Sequence, residues 1–392
     1  MIRKTFQLRL YPNQKQTKAL SKHFGCARFI YNWGLAKKKE EYENTGKSPN
    51  WVELCKQLAI MKNDNYWLRE VANAPLQASI RHLESAYRNF FKEKDKGYPK
   101  FKRKHGRQSF QYPEDVKLDS ENRSAYLPRI GWIRYLGHRV VEGRIRTVTI
   151  VRSATGKYYA KVLVELHGEV LTKKPLDQSR AIGVDVGIKT FATFSDGRKV
   201  ANPSFLKRDL EKLVRSSRRL SRKQKGSRNY AKATLKLAIV HERIASRRSD
   251  FLHKLTSQMT NENQVDTWVV ETLNVNGMKK MRSLSRAIND AAWSEFVRQL
   301  AYKSEWRGKN LVRIGRFMPS SKACSCGVIN DSLRLADRTW TCEMCGKTHD
   351  RDLLAAQNIL KFGFSTEGNP GINASGEQAL SGRSVKEEIR TC

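Results

Sequence analysis

Residues 3–10 (RKTFQLRL) alternate polar and apolar side chains, which predicts a strand that Pro12 ends. Residues 15–41 and 70–92 instead carry apolar positions three and four apart, the period of a helix. In the second stretch Leu76, Ile80, Leu83, Ala86 and Phe90 fall on one face, leaving Gln77, Arg81 and Arg88 elsewhere. From 107 to 170 the pattern turns to short β-rich runs: SFQYP, AYLPRIGWIRYL, RIRTVTIVRS and YYAKVLVEL. One strand, then helices, then many strands predicts a β module interrupted by a helical insertion. The polar stretch 171–180, with a single proline, reads as a linker.

The pattern beyond the linker is different. RAIGVDVGIKTFATFSDG reads as a buried strand, a turn at Gly187 and a second strand closing in an Asp-Gly turn. Residues 203–258 predict long helices broken at QKGSRN. TWVVETL predicts a strand, NDAAWSEFVRQLAYKSEWRG a helix and NLVRIGRF another strand. Strands alternating with helices predict an α/β core. The tail from 364, rich in Gly, Ser and Asn, is expected to be peripheral.

Charge narrows the function. The 392 residues hold 75 Lys+Arg against 38 Asp+Glu, a formal net charge of +37, which calls for a polyanionic partner. No apolar run approaches the ~18 residues of a membrane span, and MIRKTFQLRLYP lacks the apolar core of a signal peptide. A soluble, intracellular, nucleic-acid-facing protein is expected. Residues 92–107 place Lys100, Lys102, Arg103, Lys104 and Arg107 beside Tyr98 and Phe101. Such aromatics can stack on bases, and Phe101 suits core packing equally well. Residues 201–250 hold 15 Lys/Arg and four Asp/Glu, with Arg215, Arg218, Arg219, Arg222, Lys223 and Lys225 crowded together. Merely solvated helix faces usually mix signs. This one barely does, so it suits phosphate contact without a sequence code.

Three acids stand out against that background. Asp185 sits inside the apolar strand AIGVDVG, where a carboxylate is costly unless paired or metal-bound. Glu271 ends WVVE in the same manner, and Asp352 opens the short amphipathic helix of HDRDLLAAQNIL. Acids at a helix start also cap it, a role that fits Asp350 better than Asp352. Two strand-end acids and one helix acid on a basic chain point to phosphodiester hydrolysis with Mg²⁺, whose hard oxygen ligands these are.

Of seven cysteines, Cys324, Cys326, Cys342 and Cys345 lie within 22 residues; Cys26, Cys55 and Cys392 are scattered. That spacing favours a structural Zn²⁺ site over a disulfide scaffold. Cys342-Glu-Met-Cys345 is a regular half-site, whereas Cys324-Ser-Cys326 has one intervening residue where two to four are usual. Gly327 relaxing the chain, His349 replacing one sulfur, or a weakened site are the alternatives.

Taken together, GVDVGIKTFATFSDG, VVETLNVNGM, SSKACSCG…RTWTCEMCG and HDRDLLAAQNI resemble the TnpB family, the RNA-guided nucleases of IS200/IS605-type insertion sequences and relatives of Cas12 effectors. LYPNQKQ, CARFIYNWGL, PLQASIRHLESAYRNFF and GYPKFKRK match as well, so the resemblance spans about residues 1–363. It implies an α+β multidomain chain. A β-barrel-like wedge domain (1–12 and 96–172) with an inserted helical bundle (13–95) would precede a RuvC/RNase H-like α/β nuclease domain (181–318 and 350–363). A zinc-knuckle insertion (319–349) would interrupt the nuclease, and a flexible tail (364–392) would follow it.

The resemblance further implies a bacterial, cytoplasmic and nucleoid-associated endonuclease. Its partners would be a guide RNA from the element's own end and a double-stranded target DNA beside a short motif, with no membrane partner. Asp185, Glu271 and Asp352 would hold Mg²⁺. The chain departs from the family pattern at Cys324-x-Cys326, at Thr272 where an acid is common, and at Leu354 where Asn is common. A guided repressor that binds without cutting and a transposition accessory protein are the competing readings. A transposase performing strand transfer itself lacks a nucleophilic Tyr or Ser in a distinctive setting.

Overall fold

The computed structural model describes residues 2–93, 95–137, 139–166, 171–334 and 336–365; Cys392 and the tail from 366 lie outside them. The chain divides into two compact units, up to Glu169 and from Val170.

The first unit is organised by β1 (Ile2–Tyr11). It pairs antiparallel with β7 (Tyr158–Leu166) on one side and β5 (Gly131–Leu136) on the other. Adding β2 (Gln108–Tyr112), β3 (Lys117–Asp119), β4 (Ser124–Leu127) and β6 (Arg144–Arg152) gives a seven-stranded curled half-barrel in the order β2-β6-β7-β1-β5-β4-β3. Period-two alternation sends Leu8, Leu10, Val148, Ile150, Ala160 and Val162 to one shared core.

The inserted helices are α1 (Gln14–Thr45), α2 (Trp51–Asp64) and α3 (Asn73–Lys92). α1 starts on a capping box of Asn13 and Gln16 and stops where Gly46 adopts φ 70°, a left-handed conformation suited to glycine. Its first turns bury Leu20, Phe24 and Ala27 in the sheet core. Further along, Ile30 and Leu35 join Leu54, Leu58, Leu76, Ile80 and Leu83 in a separate helical core, so the predicted α3 stripe is buried over its first three positions, while Ala86 and Phe90 are half-buried.

In the second unit β8 (Ala181–Val186), β9 (Thr190–Phe194), β10 (Lys199–Ala201), β11 (Thr267–Glu271) and β12 (Asn310–Ile314) form a sheet in the order β10-β9-β8-β11-β12. β8, β11 and β12 are parallel; β9 and β10 run antiparallel as hairpins. The stretch 171–180, expected to be a linker, is tied to this unit instead. Lys174 gives its backbone N–H to Gly308 and its ammonium to Asp266, and Arg180 also pairs with Asp266. Its charges therefore anchor the entry to β8, which is why polarity alone misled.

α4 (Phe205–Ser221) and α5 (Arg228–Asn261) form a helical hairpin broken at Gly226, as QKGSRN predicts. After the short α6 (Val275–Met278), the single helix expected over 289–308 is two, α7 (Arg282–Ala291) and α8 (Trp293–Glu305). Ala292 breaks them at φ 52°, a left-handed turn that an alanine gives no warning of. A hairpin of β13 (Thr339–Thr341) and β14 (Thr348–Asp350) then runs directly into α9 (Arg351–Gly363).

α9 lies unusually close to the sheet. A Cβ on Gly183 of β8 would sit 2.1 Å from the Ala356 carbonyl oxygen, and one on Gly363 would sit 2.4 Å from Val269 Cγ1. Both glycines mark a close backbone approach. Phe364, assigned to the tail from sequence, packs beside Ile359 and Val269.

Replacing Gly183 by Ala is expected to destabilise the chain by about 3 kcal/mol, because backbone rather than a flexible side chain must move. Gly25→Ala is the contrast. It lies within α1 with nothing within 4 Å of the added carbon, and it should stabilise by about 0.5–1 kcal/mol. Urea denaturation of the two variants beside wild type checks both signs.

Candidate functional site

The parallel register pairs Val270 with Val184, and one further step brings Glu271 alongside Asp185 at the carboxyl ends of β11 and β8. Alternation puts Asp185 on the face of Gly183 and Glu271 on the face of Val269. That is the face α9 covers, and Asp352 stands on the first turn of α9. Burial, then the nearby charge of Asp352, pushes the Asp185 carboxyl up to about 7; Arg351 offsets part of this. Glu271 is pushed up to about 7 as well, by burial and then by Asp185. Desolvated acids in a chain of repulsion, Asp352 acting on Asp185 and Asp185 on Glu271, are a place where a cation lowers the energy. Their hard oxygen donors fit Mg²⁺.

Asp350 caps α9, accepting from the backbone N–H groups of Asp352 and Leu353, as the sequence suggested. Asp352 is therefore spared that duty. Lys199 pairs with Asp350 at 2.7 Å, and Arg338 approaches Asp352 at 3.5 Å. Sequence reasoning missed this cationic border of Lys199, Arg338 and Arg351. The one available signal was Arg351 between the two acids of HDRD.

The four cysteines gather as expected. Their sulfurs all lie within 4.8 Å of one another, the set among the described residues that could hold a metal by that measure; the three carboxylates do not meet it. Cys324 to Cys345 is 3.5 Å and Cys326 to Cys342 is 3.6 Å. A tetrahedron of Zn–S bonds of about 2.3 Å has edges of about 3.8 Å, so the cluster fits Zn²⁺. The one-residue spacing of Cys324 and Cys326 does not prevent this. The Cys326 backbone N–H points to the Cys324 sulfur, and that of Val328 to Cys326. Leu354 packs with Cys324, Trp340 and Cys342, joining the module to α9, and Asn358 donates to the carbonyls of Ser320 and Ala323.

The two basic segments lie in different units. In the second unit, Arg215, Arg218, Arg219, Arg222 and Lys223 are all exposed and line an open groove of about 670 Å³ with Leu210, Val214 and one acid, Glu211. None of the five has an ion-pair partner among the described residues. The root of this hairpin, by contrast, is pinned: buried Asp209 holds Arg247, and Asp290 holds Arg248 and the Leu206 N–H. In the first unit Lys100, Arg103 and Lys104 are exposed, and so is Phe101 at 56%. Lys102 is an exposed residue whose ammonium is tucked against the protein. Its ammonium lies 3.9 Å from the Tyr31 ring centre, and burial followed by Arg107 brings it down to about 8.

Strand-end acids on an α/β sheet, a four-cysteine module spliced ahead of the last helix, and exposed cations without ion-pair partners among the described residues define a class: polyanion-binding proteins that carry a four-cysteine metal module. Three family descriptions match successive stretches: the OrfB IS605 "Helix-turn-helix domain" over 1–47, the OrfB IS605 "Probable transposase" over 161–282, and the "Cas12f1-like, TNB domain" over 293–359. The first of these stretches is β1 and the whole of the first, single long helix. A Streptomyces pristinaespiralis protein named "Putative RNA-guided DNA endonuclease" is 38% identical over 399 residues, covering 99% of this chain and 96% of that one. InsQ of Escherichia coli K12, named in the same words, is 34% identical over 401 residues, covering 98% and 96%. The chain belongs to the TnpB family, the OrfB proteins of IS200/IS605-type insertion sequences. In fold it is similar to a chain of "Cryo-EM structure of the Cas12f1-sgRNA-target DNA complex", with TM-score 0.54 at 14% identity over 92% of this chain and 98% of that one. No helix among the described residues is long and apolar enough to cross a membrane.

Metal-free stability tests the acid cluster. Ordinary values of 3.8 for Asp and 4.5 for Glu rise to about 7 on folding, so between these limits the folded state holds the extra protons. Stability from these groups therefore falls as pH rises from about 4 to about 7 and stays low above. Asp185→Asn should melt higher than wild type by on the order of 2–4 °C at pH ~8 without Mg²⁺, and the gap should close near pH ~4. Calorimetry of both proteins, zinc retained, reads the difference.

Proposed function

We propose that this protein is an RNA-guided DNA endonuclease of an insertion sequence, cutting target DNA beside a short element-specific motif. The observation that carries it is the pairing of Asp185 and Glu271 under the helix that brings Asp352, in a chain 38% identical to a relative of that name. The sheet order, with two antiparallel hairpin strands beside three parallel ones, supports a RuvC/RNase H-like nuclease domain over 181–318 and 350–363. The other proposed divisions are a wedge domain (1–12 and 96–172), a helical domain (13–95), a zinc insertion (319–349) and a tail (364–392).

Asp185, Glu271 and Asp352 would hold Mg²⁺, which supplies charge neutralisation and an activated water for phosphodiester hydrolysis. The chain's own part is to bring three carboxylates from two strands and one helix into a partly desolvated face. Arg338 and Arg351 stand beside them, where a phosphate would enter. The exposed cations Arg215, Arg218, Arg219, Arg222 and Lys223, with Lys100, Arg103 and Lys104, suit backbone phosphates of guide and target; Lys102 contributes from a stacked position. Sequence choice would then rest on RNA–DNA pairing, with protein contact to backbone and adjacent motif.

Expression with the native flanking DNA should yield protein carrying one defined RNA, read by sequencing the copurified nucleic acid. That complex is expected to cut matching DNA in Mg²⁺, and Asp185→Ala should abolish cutting while guided DNA binding persists. Wild type that binds matching DNA and leaves it whole would move the reading to a repressor. A combined Arg215→Ala, Arg218→Ala, Arg219→Ala variant should lower the salt dependence of nucleic-acid binding by about one unit of slope per phosphate contact removed.

A further inference from the structure

His349 stands in β14 across from Trp340 of β13, its ring 4.8 Å from the indole and only 6% exposed. Its Nε2 lies 3.1 Å from the Cys324 sulfur. His349 is nevertheless outside the set of ligand atoms that lie within 4.8 Å of one another, which is complete with four thiols. A fifth ligand has no place in a tetrahedral site. Four thiolates on one Zn²⁺ leave a net charge of −2, and buried Cys324 carries its share away from water. A metal-bound thiolate has no proton to give, so a nitrogen at this distance must be the donor.

We propose that His349 is a positioning residue for the zinc site: its Nε2–H donates to the Cys324 thiolate and the ring is not itself a ligand. The role rests on the four-thiolate reading of the cluster. It answers a specific need, because the one-residue spacing of Cys324 and Cys326 leaves the short half-site with less chain to orient its buried sulfur. It also has a mechanical reach. His349 directly precedes Asp350, the residue that caps α9, and the neighbouring pair Thr339–Asp350 and the Arg351 N–H to Arg338 carbonyl bond continue the connection. A hydrogen bond at the metal thus holds the strand from which the helix of Asp352 begins.

Cobalt reports both the ligand set and the affinity. The full chain, stripped and titrated with Co²⁺, should show the absorption of four thiolates and bind one ion at this module. His349→Ala should keep that four-sulfur spectrum but bind 10–100-fold more weakly in competition with a chelator, the usual cost of losing a partner behind a ligand. His349→Gln, whose amide places an N–H near Nε2, should recover most of the loss. Equal affinity in wild type and His349→Ala would overturn the role while leaving the four-thiolate site standing. A three-sulfur, one-nitrogen spectrum in wild type would show a ligand instead. No cobalt uptake by wild type would overturn the site and the role together. Should His349→Ala not fold, ¹⁵N spectra of histidine-labelled, zinc-loaded wild type decide the matter: a protonated Nε2 on His349 is expected, and an unprotonated one overturns the proposal.

Discussion

The contact on which the rest of the second unit depends is the absence of two side chains. With hydrogen in place of Cβ at Gly183 and Gly363, α9 settles directly onto β8 at its middle and onto β11 at its last residue. That closeness fixes the separation between strand-borne Asp185 and Glu271 and helix-borne Asp352. It also desolvates the two strand acids, which is the first cause of their raised pKa values. One packing constraint therefore sets geometry and electrostatics together.

The distribution of charge follows a division of labour. Acids that serve as anchors are saturated: Asp209, Asp266 and Asp290 each hold an arginine, and Asp350 holds Lys199 and two helix amides. Arg215, Arg218, Arg219, Arg222 and Lys223 have no such partners among the described residues. A long-range attraction for polyanions and a locally repulsive acid pair coexist because the first lies in high dielectric and the second does not.

Much of this was legible in the sequence where a local pattern carries the information. Alternation located β1, β6 and β7, a buried acid in an apolar strand picked out Asp185, and ligand spacing found the cysteines. What escaped was set by partners distant in sequence. The 171–180 stretch looked like a linker because Asp266, which ties it down, lies some ninety residues on. The contact of the Lys102 ammonium with a ring could not be foreseen because Tyr31, on α1, lies some seventy residues earlier. Ala292 gave no sign of a break, since its left-handed turn is imposed by the helices it joins. Gly183 was visible in AIGVDVG, but the helix it admits was not.

The order of the pieces along the chain has a consequence for synthesis. Asp185 and Glu271 emerge early, whereas Asp352 follows the cysteine module and sits on a helix that begins where that module's hairpin ends. A product interrupted before the hairpin would already possess the basic helical hairpin and two of the three acids. It would lack the helix that carries Asp352. The arrangement works as an interlock: on the function proposed above, grip is translated first, and the cutting edge is fitted only after the metal module has been read through.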